Sequence, residues 1–152
     1  MVQGVAGLHD SSFRVEGDRI VAGTYGAAVV AAGGEALLRG ICPSDLKVPL
    51  EEFQKAGAAV DADEKNRQIR ICMGKRPLPL LIKTEPYPGF PTDLQSPFMA
   101  FLATAQGTSY IEEQVFEGRF ATAKILEQMG AVIRTEDQRA VIEGHYPLKE
   151  LL

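Results

Sequence analysis

The feature that most constrains this fold is an internal repeat with an offset of 73 residues. The stretch 53–60 resembles the stretch 126–133, and the same offset places Gly34 on Gly107. A chain that repeats itself at a fixed offset builds similar supersecondary units, which bury their apolar faces against each other. The sequence therefore predicts two related units that share one core.

Hydrophobic periodicity predicts how the first unit is built. The first predicted helix has small apolar residues on nearly all sides, which predicts that it is buried on most faces. The second has apolar residues spaced about 3.6 positions apart, which predicts an amphipathic helix that ends at Gly57. Strands flank this second helix. The predicted elements are a helix at 24–32, a strand at 35–39, a helix at 46–56, a strand from Val60, a turn at 61–66 and a strand at 68–73.

The second unit repeats this order of helices and strands. Alternating apolar residues on either side of Asp137 predict a closing hairpin. The predicted elements are a strand at 80–83, a proline-rich loop at 85–93, a helix that begins within 93–96, a strand at 110–111, a helix at 123–129 and strands at 132–133 and 141–142. We therefore expect an α/β (α+β) chain of two tandem βαβαββ-like units, 14–76 and 77–148, within one partial domain, 1–152.

The charge balance and the length of the apolar runs exclude two classes of partner, nucleic acids and membranes. The chain carries 16 Lys and Arg against 20 Asp and Glu, and its pI is about 5.2. A nucleic-acid binder needs a basic surface, so we expect no nucleic-acid partner. The apolar run at 27–32 is far shorter than the roughly 20 residues that span a bilayer, and the first residues lack the pattern of a signal peptide. We expect a cytoplasmic protein without a membrane partner.

The metal-ligating residue types are too few and too scattered for a metal site. Cys42 and Cys72 lack the spacing of metal ligands, and His9 and His145 are isolated. Lone cysteines in such contexts are more often small buried side chains than nucleophiles. The sequence therefore predicts no bound metal and two buried, unreactive thiols.

The proline-rich loop is the first candidate for chemistry. Pro86, Pro88 and Pro91 fix the path of the chain, which then delivers Asp93 to the start of a helix. A carboxylate held in such a place can act as a general base. The simpler alternative is that Asp93 only caps the helix, because aspartate is a preferred N-cap residue.

The segment 115–120 is the second candidate, because it joins a predicted strand to a predicted helix. It places Glu117 and Arg119 beside two aromatic side chains, a combination that can bind a polar ligand. The alternative is a hydrophobic staple with a surface ion pair.

Four motifs taken together resemble the enolpyruvyl transferase family. They are GDRIVAGT at 17–24, GKRP at 74–77, FPTDLQ at 90–95 and VFEGRF at 115–120. The resemblance runs over nearly the whole chain, from Val15 to Leu148. It implies an inside-out barrel, in which each of two lobes holds three βαβαββ units with the helices inside and mixed sheets outside. Two of the three units of one lobe would then be present.

The resemblance also implies an activity and a set of site residues. The cell-wall branch, to which 115–120 is most similar, transfers enolpyruvate from phosphoenolpyruvate to the 3-hydroxyl of UDP-N-acetylglucosamine by addition and elimination, without a cofactor. Asp93 matches the family aspartate that contacts the sugar hydroxyl and is a candidate catalytic base. Val115 matches a substrate-binding position whose main chain contacts the sugar nucleotide. Arg119 matches an arginine near the cleft, and Gly118 stands where the family has asparagine.

The resemblance further implies that this chain is part of a larger enzyme. It has no counterpart of the loop that bears the family's reactive cysteine, or of the basic residues that bind phosphoenolpyruvate. We therefore expect the 152-residue chain alone to be inactive. We also expect that a face normally covered by a third unit supports a homodimer. Two other functions stay open: the shikimate-pathway branch of the same family, and a non-catalytic binding or scaffold domain of this fold.

Overall fold

The computed structural model describes residues 2–149, which form four helices and seven strands. The helices are α1 (Arg19–Ala32), α2 (Lys47–Lys55), α3 (Gln95–Leu102) and α4 (Ala121–Gln128). The strands are β1 (Gly34–Arg39), β2 (Ala59–Asp63), β3 (Gln68–Met73), β4 (Leu81–Lys83), β5 (Thr108–Glu112), β6 (Val132–Glu136) and β7 (Arg139–Glu143). Short 3-10 turns, Pro43–Leu46 and Thr92–Leu94, lead into α2 and α3.

The strands form two separate sheets. The first sheet has the order β1-β3-β2 and is antiparallel throughout. The second sheet has the order β4-β5-β7-β6, and it is mixed because β4 runs parallel to β5 while the other pairs are antiparallel. Its register places Ile82 opposite Ile111 and Ile111 opposite Ala140. These three side chains are buried, so the register points one face of the sheet into the core.

The helices lie between the sheets and join the two halves of the chain. α1 packs against β1 and β3 of the first sheet and also against α3, which itself packs against β5. Phe53 on α2 stacks on Phe98 of α3 with ring centroids 4.8 Å apart, and both side chains are fully buried. Gly26 lets α1 pack closely against the Phe53 ring, because a Cβ at position 26 would lie 2.6 Å from that ring. The predicted α/β fold with the helices inside is confirmed.

The main differences from the sequence prediction lie in the first unit. α1 begins at Arg19, five residues earlier than expected, because Asp18 caps it by accepting a 2.7 Å hydrogen bond from the Ile20 N–H. The turn between β2 and β3 lies at 64–67 instead of 61–66, because β2 extends to Asp63. Within residues 2–18 no strand precedes α1, so the first unit shows the order αβαββ and the second shows βαβαββ.

One face of α1 is less buried than the sequence predicts. Val21 and Tyr25 are 51% and 62% exposed, and Ala28, one further turn along, is also exposed. The prediction of a helix buried on most sides was therefore wrong for this stripe, because no element within residues 2–149 covers it. None of the four described helices has the length and apolarity needed to cross a membrane.

Candidate active site

The proline-rich loop follows β4 and is closed by its own backbone hydrogen bonds. The Glu85 N–H donates to the Phe90 carbonyl at 2.9 Å, and the Gly89 N–H donates to the Pro86 carbonyl at 2.8 Å. Phe90 is buried and packs edge-on against Phe98 of α3, with ring centroids 4.7 Å apart. The loop is thus anchored to the core immediately before the turn that holds Asp93.

Asp93 projects outward from this anchored turn. Its neighbour Leu94 is fully buried, whereas the Asp93 side chain is 54% exposed. No backbone N–H within the described residues donates to the Asp93 carboxylate, and neither the 3-10 turn nor α3 has a side-chain cap. The alternative in which Asp93 only caps the helix is therefore wrong. The carboxylate is open to solvent and to a ligand.

Arg119 brings the second candidate segment to Asp93. Its guanidinium Nη2 donates to Asp93 Oδ1 at 2.7 Å and lies over the Phe116 ring, 5.0 Å from the centroid. Gln95, which is fully buried, donates from Nε2 to the Arg119 carbonyl at 3.2 Å and so fixes the backbone of this segment against α3. The two segments that the sequence singled out, 90–95 and 115–120, thus form one surface.

Beneath this surface lies a buried carboxylate that the sequence reading did not single out. Glu113 has no exposed surface and accepts four hydrogen bonds. Its Oε1 accepts from Thr84 Oγ1 at 2.8 Å and from the N–H groups of Val115 and Phe116 at 2.9 and 3.0 Å. Its Oε2 accepts from Thr92 Oγ1 at 2.8 Å.

These donors keep Glu113 charged although it is buried. Burial alone would raise the pKa of this carboxyl, because desolvation penalises the charged form. The hydrogen bonds from the Phe116 N–H, from the two threonine hydroxyls and from the Val115 N–H act in the opposite direction, and together they hold the pKa below its ordinary value. At neutral pH the side chain is therefore a carboxylate with hydrogen-bond donors at both of its oxygens.

A signal for Glu113 was present in the sequence. Side chains of a strand alternate between its two faces, so Ser109, Ile111 and Glu113 share one face of β5 and of its extension. All three are fully buried. A charged residue in phase with buried positions indicates a satisfied internal carboxylate.

Val115 and Gly118 have distinct backbone roles in the second segment. The Val115 N–H is engaged by Glu113, whereas its carbonyl accepts no hydrogen bond from the described residues, so that the oxygen is the group left to contact a ligand. Gly118 has φ +66°, in the left-handed region that glycine and asparagine adopt more readily than other residues. Glycine, and the asparagine that the resemblance implies at this position, can both adopt this conformation with little strain.

The proline-rich loop also borders a cavity of about 280 Å³ on the side of the first unit. Its lining includes Arg19, Lys47, Tyr87 and Pro91. The Arg19 guanidinium lies 5.3 Å from the centroid of the Tyr87 ring, so that the start of α1 contacts the loop. The sequence allows Arg19 either to reach a ligand or to form a surface pair with Asp18, and the structure places it beside the loop.

The two cysteines lie apart from this surface. Both are half-buried free thiols, which corrects the expectation that they are buried. The Ser44 hydroxyl lowers the pKa of Cys42. The hydrogen bond to the Glu64 carboxylate, 3.1 Å from its Sγ, desolvation and the negative charges of Glu64 and Asp45 together outweigh this effect, so the pKa is raised above its ordinary value. Cys42 is therefore not an activated nucleophile. Among residues 2–149 no group of three His, Cys, Asp or Glu side chains is arranged to hold a metal ion.

The exposed Asp93 carboxylate can accept a proton from an alcohol, and Arg119 can orient it or pair with an anionic ligand. Sequence comparison identifies proteins that are similar to this chain over nearly its whole length. The chain is 43% identical over 144 residues to UDP-N-acetylglucosamine 1-carboxyvinyltransferase of Hyphomonas neptunium, and the match covers 94% of this chain and 34% of that protein. It is also 43% identical over 149 residues to the enzyme of the same name from Brucella ovis, with 97% and 34% covered. The chain thus spans about a third of the length of these relatives.

Solved structures share the fold at lower identity. The enolpyruvyl transferase NikO from Streptomyces tendae superposes with a TM-score of 0.74 at 24% identity, over 86% of this chain and 31% of that one. EPSP synthase from Acinetobacter baumannii superposes with a TM-score of 0.61 at 17% identity, over 86% and 29%. The sequence model of one family matches residues 1–150. The chain therefore belongs to the EPSP synthase (3-phosphoshikimate 1-carboxyvinyltransferase) family, and the resemblance to the enolpyruvyl transferases is confirmed.

Proposed function

We propose that the chain is part of an enzyme that transfers enolpyruvate from phosphoenolpyruvate to the 3-hydroxyl of UDP-N-acetylglucosamine, a step of peptidoglycan synthesis in the cytoplasm. The observation that carries the proposal is the exposed Asp93 carboxylate on a turn anchored by buried neighbours. The 43% identity to carboxyvinyltransferases that bear this substrate in their names supports it. No cofactor is needed for the reaction proposed here.

Asp93 would serve as the general base of the addition step. The sugar oxygen attacks C2 of phosphoenolpyruvate, its proton passes to the Asp93 carboxylate, and C3 of the enol gains a proton from an acid outside this chain. In the elimination step C3 returns a proton to the conjugate base of that acid, the bond from C2 to the phosphate oxygen breaks and phosphate leaves. The product carries the double bond again, and the proton of the sugar hydroxyl leaves with phosphate.

Val115 and Arg119 would bind and orient the substrate around Asp93. The free carbonyl of Val115 is suited to accept a hydrogen bond from a sugar hydroxyl or an amide of the sugar nucleotide. Arg119 fixes the position of the carboxylate before the substrate arrives, since it donates to Oδ1 and leaves Oδ2 free. A base held in this way needs little reorganisation during the reaction.

We also propose that the chain is a single partial domain built from the repeat units 14–76 and 77–148. The remaining parts of the longer enzyme would supply the groups that bind phosphoenolpyruvate, so the 152-residue chain alone would be inactive. In the isolated chain a second copy would cover the exposed stripe of Val21, Tyr25 and Ala28, which has apolar side chains spaced along one face of α1.

The shikimate-pathway reaction is the second candidate. The description of the matching family names 3-phosphoshikimate as its substrate, which favours this alternative. The solved EPSP synthases are only 17% and 20% identical to this chain, whereas the UDP-N-acetylglucosamine enzymes are 43% identical, which favours the first proposal. A non-catalytic binding domain would retain the fold without needing Asp93.

The test is a phosphate-release assay on the full-length protein with phosphoenolpyruvate and either acceptor. The proposal predicts turnover with UDP-N-acetylglucosamine and none with shikimate 3-phosphate. Turnover with shikimate 3-phosphate alone would establish the second candidate. Absence of turnover with both acceptors, from protein that binds UDP-N-acetylglucosamine in calorimetry, would establish the binding domain.

A further inference from the structure

We propose that Glu113 is a positioning residue that fixes the Asp93 carboxylate relative to the Val115 carbonyl. The inference rests on the proposed function, because it assigns to Glu113 the task of aligning the two groups that would act on the sugar. Glu113 accepts hydrogen bonds from both segments of the site, from Thr92 in one and from Val115 and Phe116 in the other.

Glu113 is the common acceptor for two separate segments. Thr92, whose hydroxyl donates to Oε2, immediately precedes Asp93 in the 3-10 turn. The N–H groups of Val115 and Phe116, which donate to Oε1, begin the loop that carries Arg119. One buried side chain therefore sets the distance between the turn and the loop.

Thr84 ties this arrangement to the second sheet. Its hydroxyl donates to Glu113 Oε1 at 2.8 Å and accepts from the Gln114 N–H at 2.8 Å. The Thr84 side chain is fully buried directly after β4, and its own N–H donates to the Glu112 carbonyl. Because β4 and β5 are paired, the carboxylate is held against a rigid element instead of a mobile loop.

The site segments are therefore joined at two levels with different properties. The upper link is the ion pair of Asp93 with Arg119, which is weak because both side chains are partly exposed. The lower link, through Glu113, is buried and lies out of reach of a ligand. Asp93 can thus accept a sugar hydroxyl at its free Oδ2 while the turn beneath it stays in place.

The hydrogen bonds of Glu113 predict different effects for glutamine and alanine at this position. In a Glu113→Gln variant the amide oxygen can keep the three hydrogen bonds at Oε1, and the amide nitrogen can donate to the Thr92 hydroxyl. In Glu113→Ala two N–H groups and two hydroxyls lose their acceptor in a buried place. We therefore expect Glu113→Gln to retain at least a third of the wild-type kcat and Glu113→Ala to lose roughly a hundredfold.

The decisive variant is Thr92→Val, which removes only the link from Glu113 to the turn. Its matched control is Thr104→Val, because Thr104 is a buried threonine whose hydroxyl donates only to the Phe101 carbonyl within α3. In the full-length protein we expect Thr92→Val to lower kcat about tenfold while KM for phosphoenolpyruvate stays within twofold, and Thr104→Val to leave both unchanged. Equal kcat in the two variants would overturn the inference.

A double-mutant cycle separates this inference from the proposed function. If Glu113 acts through Asp93, adding Thr92→Val to an Asp93→Asn background causes no further loss, whereas a fully additive loss would contradict the inference. A wild-type kcat in Asp93→Asn would instead overturn the proposed function.

Hydrogen exchange provides a readout that does not require activity. In the full-length protein, Thr92→Val should accelerate amide exchange in peptides covering 92–94 and 114–119, where Thr104→Val should not. Unchanged exchange in Thr92→Val would overturn the inference even if Asp93→Asn leaves too little activity to measure the cycle.

Discussion

The guanidinium of Arg119 donates to Asp93 Oδ1 at 2.7 Å, so that one contact joins two segments that lie 26 residues apart in the chain. Both side chains are partly exposed, at 37% for Arg119 and 54% for Asp93. An ion pair in such a position contributes little to stability, about 0.2–1 kcal/mol. The ion pair instead holds the Asp93 carboxylate in a defined position on an exposed surface.

The stacking of Phe53 on Phe98 predicts that the two halves unfold together. Phe98→Ala removes a fully buried ring that contacts Phe53, Phe90 and Phe101, and it should destabilise the 152-residue chain by about 3–5 kcal/mol. Urea unfolding followed by circular dichroism measures the change. Phe13→Ala, at a residue that is 83% exposed, is the control and should have no effect. A loss below about 1 kcal/mol in Phe98→Ala would contradict the shared core.

The lowered pKa of Glu113 predicts a specific dependence of stability on acid. Because its pKa in the folded chain lies below the ordinary glutamate value, the unfolded chain binds more protons as the pH falls below that value. The stability that Glu113 contributes is therefore present at neutral pH and is lost as the pH falls through the folded pKa.

Glu113→Gln removes this titration while keeping the shape of the side chain. Between pH 7 and about pH 4 the urea midpoint of unfolding should fall further for the wild type than for Glu113→Gln. Equal falls in the two proteins would mean that Glu113 does not titrate with a lowered pKa.

The left-handed backbone of Gly118 predicts which residues are accepted there. Gly118→Asn should be nearly neutral for folding, because asparagine adopts a φ of +66° with little strain. Gly118→Val should cost about 1–2 kcal/mol, because a β-branched side chain is strained in that region. Thermal unfolding of both variants measures the difference, and equal Tm values for asparagine and valine would contradict the assigned conformation.

The exposed stripe on α1 predicts self-association of the isolated 152-residue chain. Analytical ultracentrifugation should show a dimer, and Tyr25→Glu should convert it to a monomer because it places a charge on the stripe. Leu37→Glu is the matched control, since Leu37 is 45% exposed but lies on β1. A wild-type chain that stays monomeric across concentrations would contradict the proposed dimer.

Much of the fold could be predicted from the sequence because its signals are local. The apolar spacing of α2 and the alternation of β3 depend only on neighbouring residues, and both elements lie where predicted. The exposed face of α1 could not be predicted, because the apolar pattern is the same whether or not another element packs against it. The start of α1 at Arg19 depends on the Asp18 cap, which composition alone does not distinguish from a surface acid.

The site was only partly visible for a similar reason. Motifs identified 90–95 and 115–120 as separate candidates, but their contact through Asp93 and Arg119 is set by the packing of α3 beside β5. Glu113 looks like one of two adjacent surface acids until the phase of β5 is known. Its role depends on donors from Thr84 and Thr92, which come from two other segments.

The central claim is that the Asp93 carboxylate accepts the proton of the sugar hydroxyl, and Asp93→Asn in the full-length protein tests it most directly. The amide keeps the size of the side chain but cannot act as a base at neutral pH, so we expect kcat with UDP-N-acetylglucosamine to fall by roughly 10²–10⁴-fold. Asp61→Asn, at an exposed aspartate on β2, is the control and should leave kcat unchanged. A kcat for Asp93→Asn within threefold of the wild type would contradict the account.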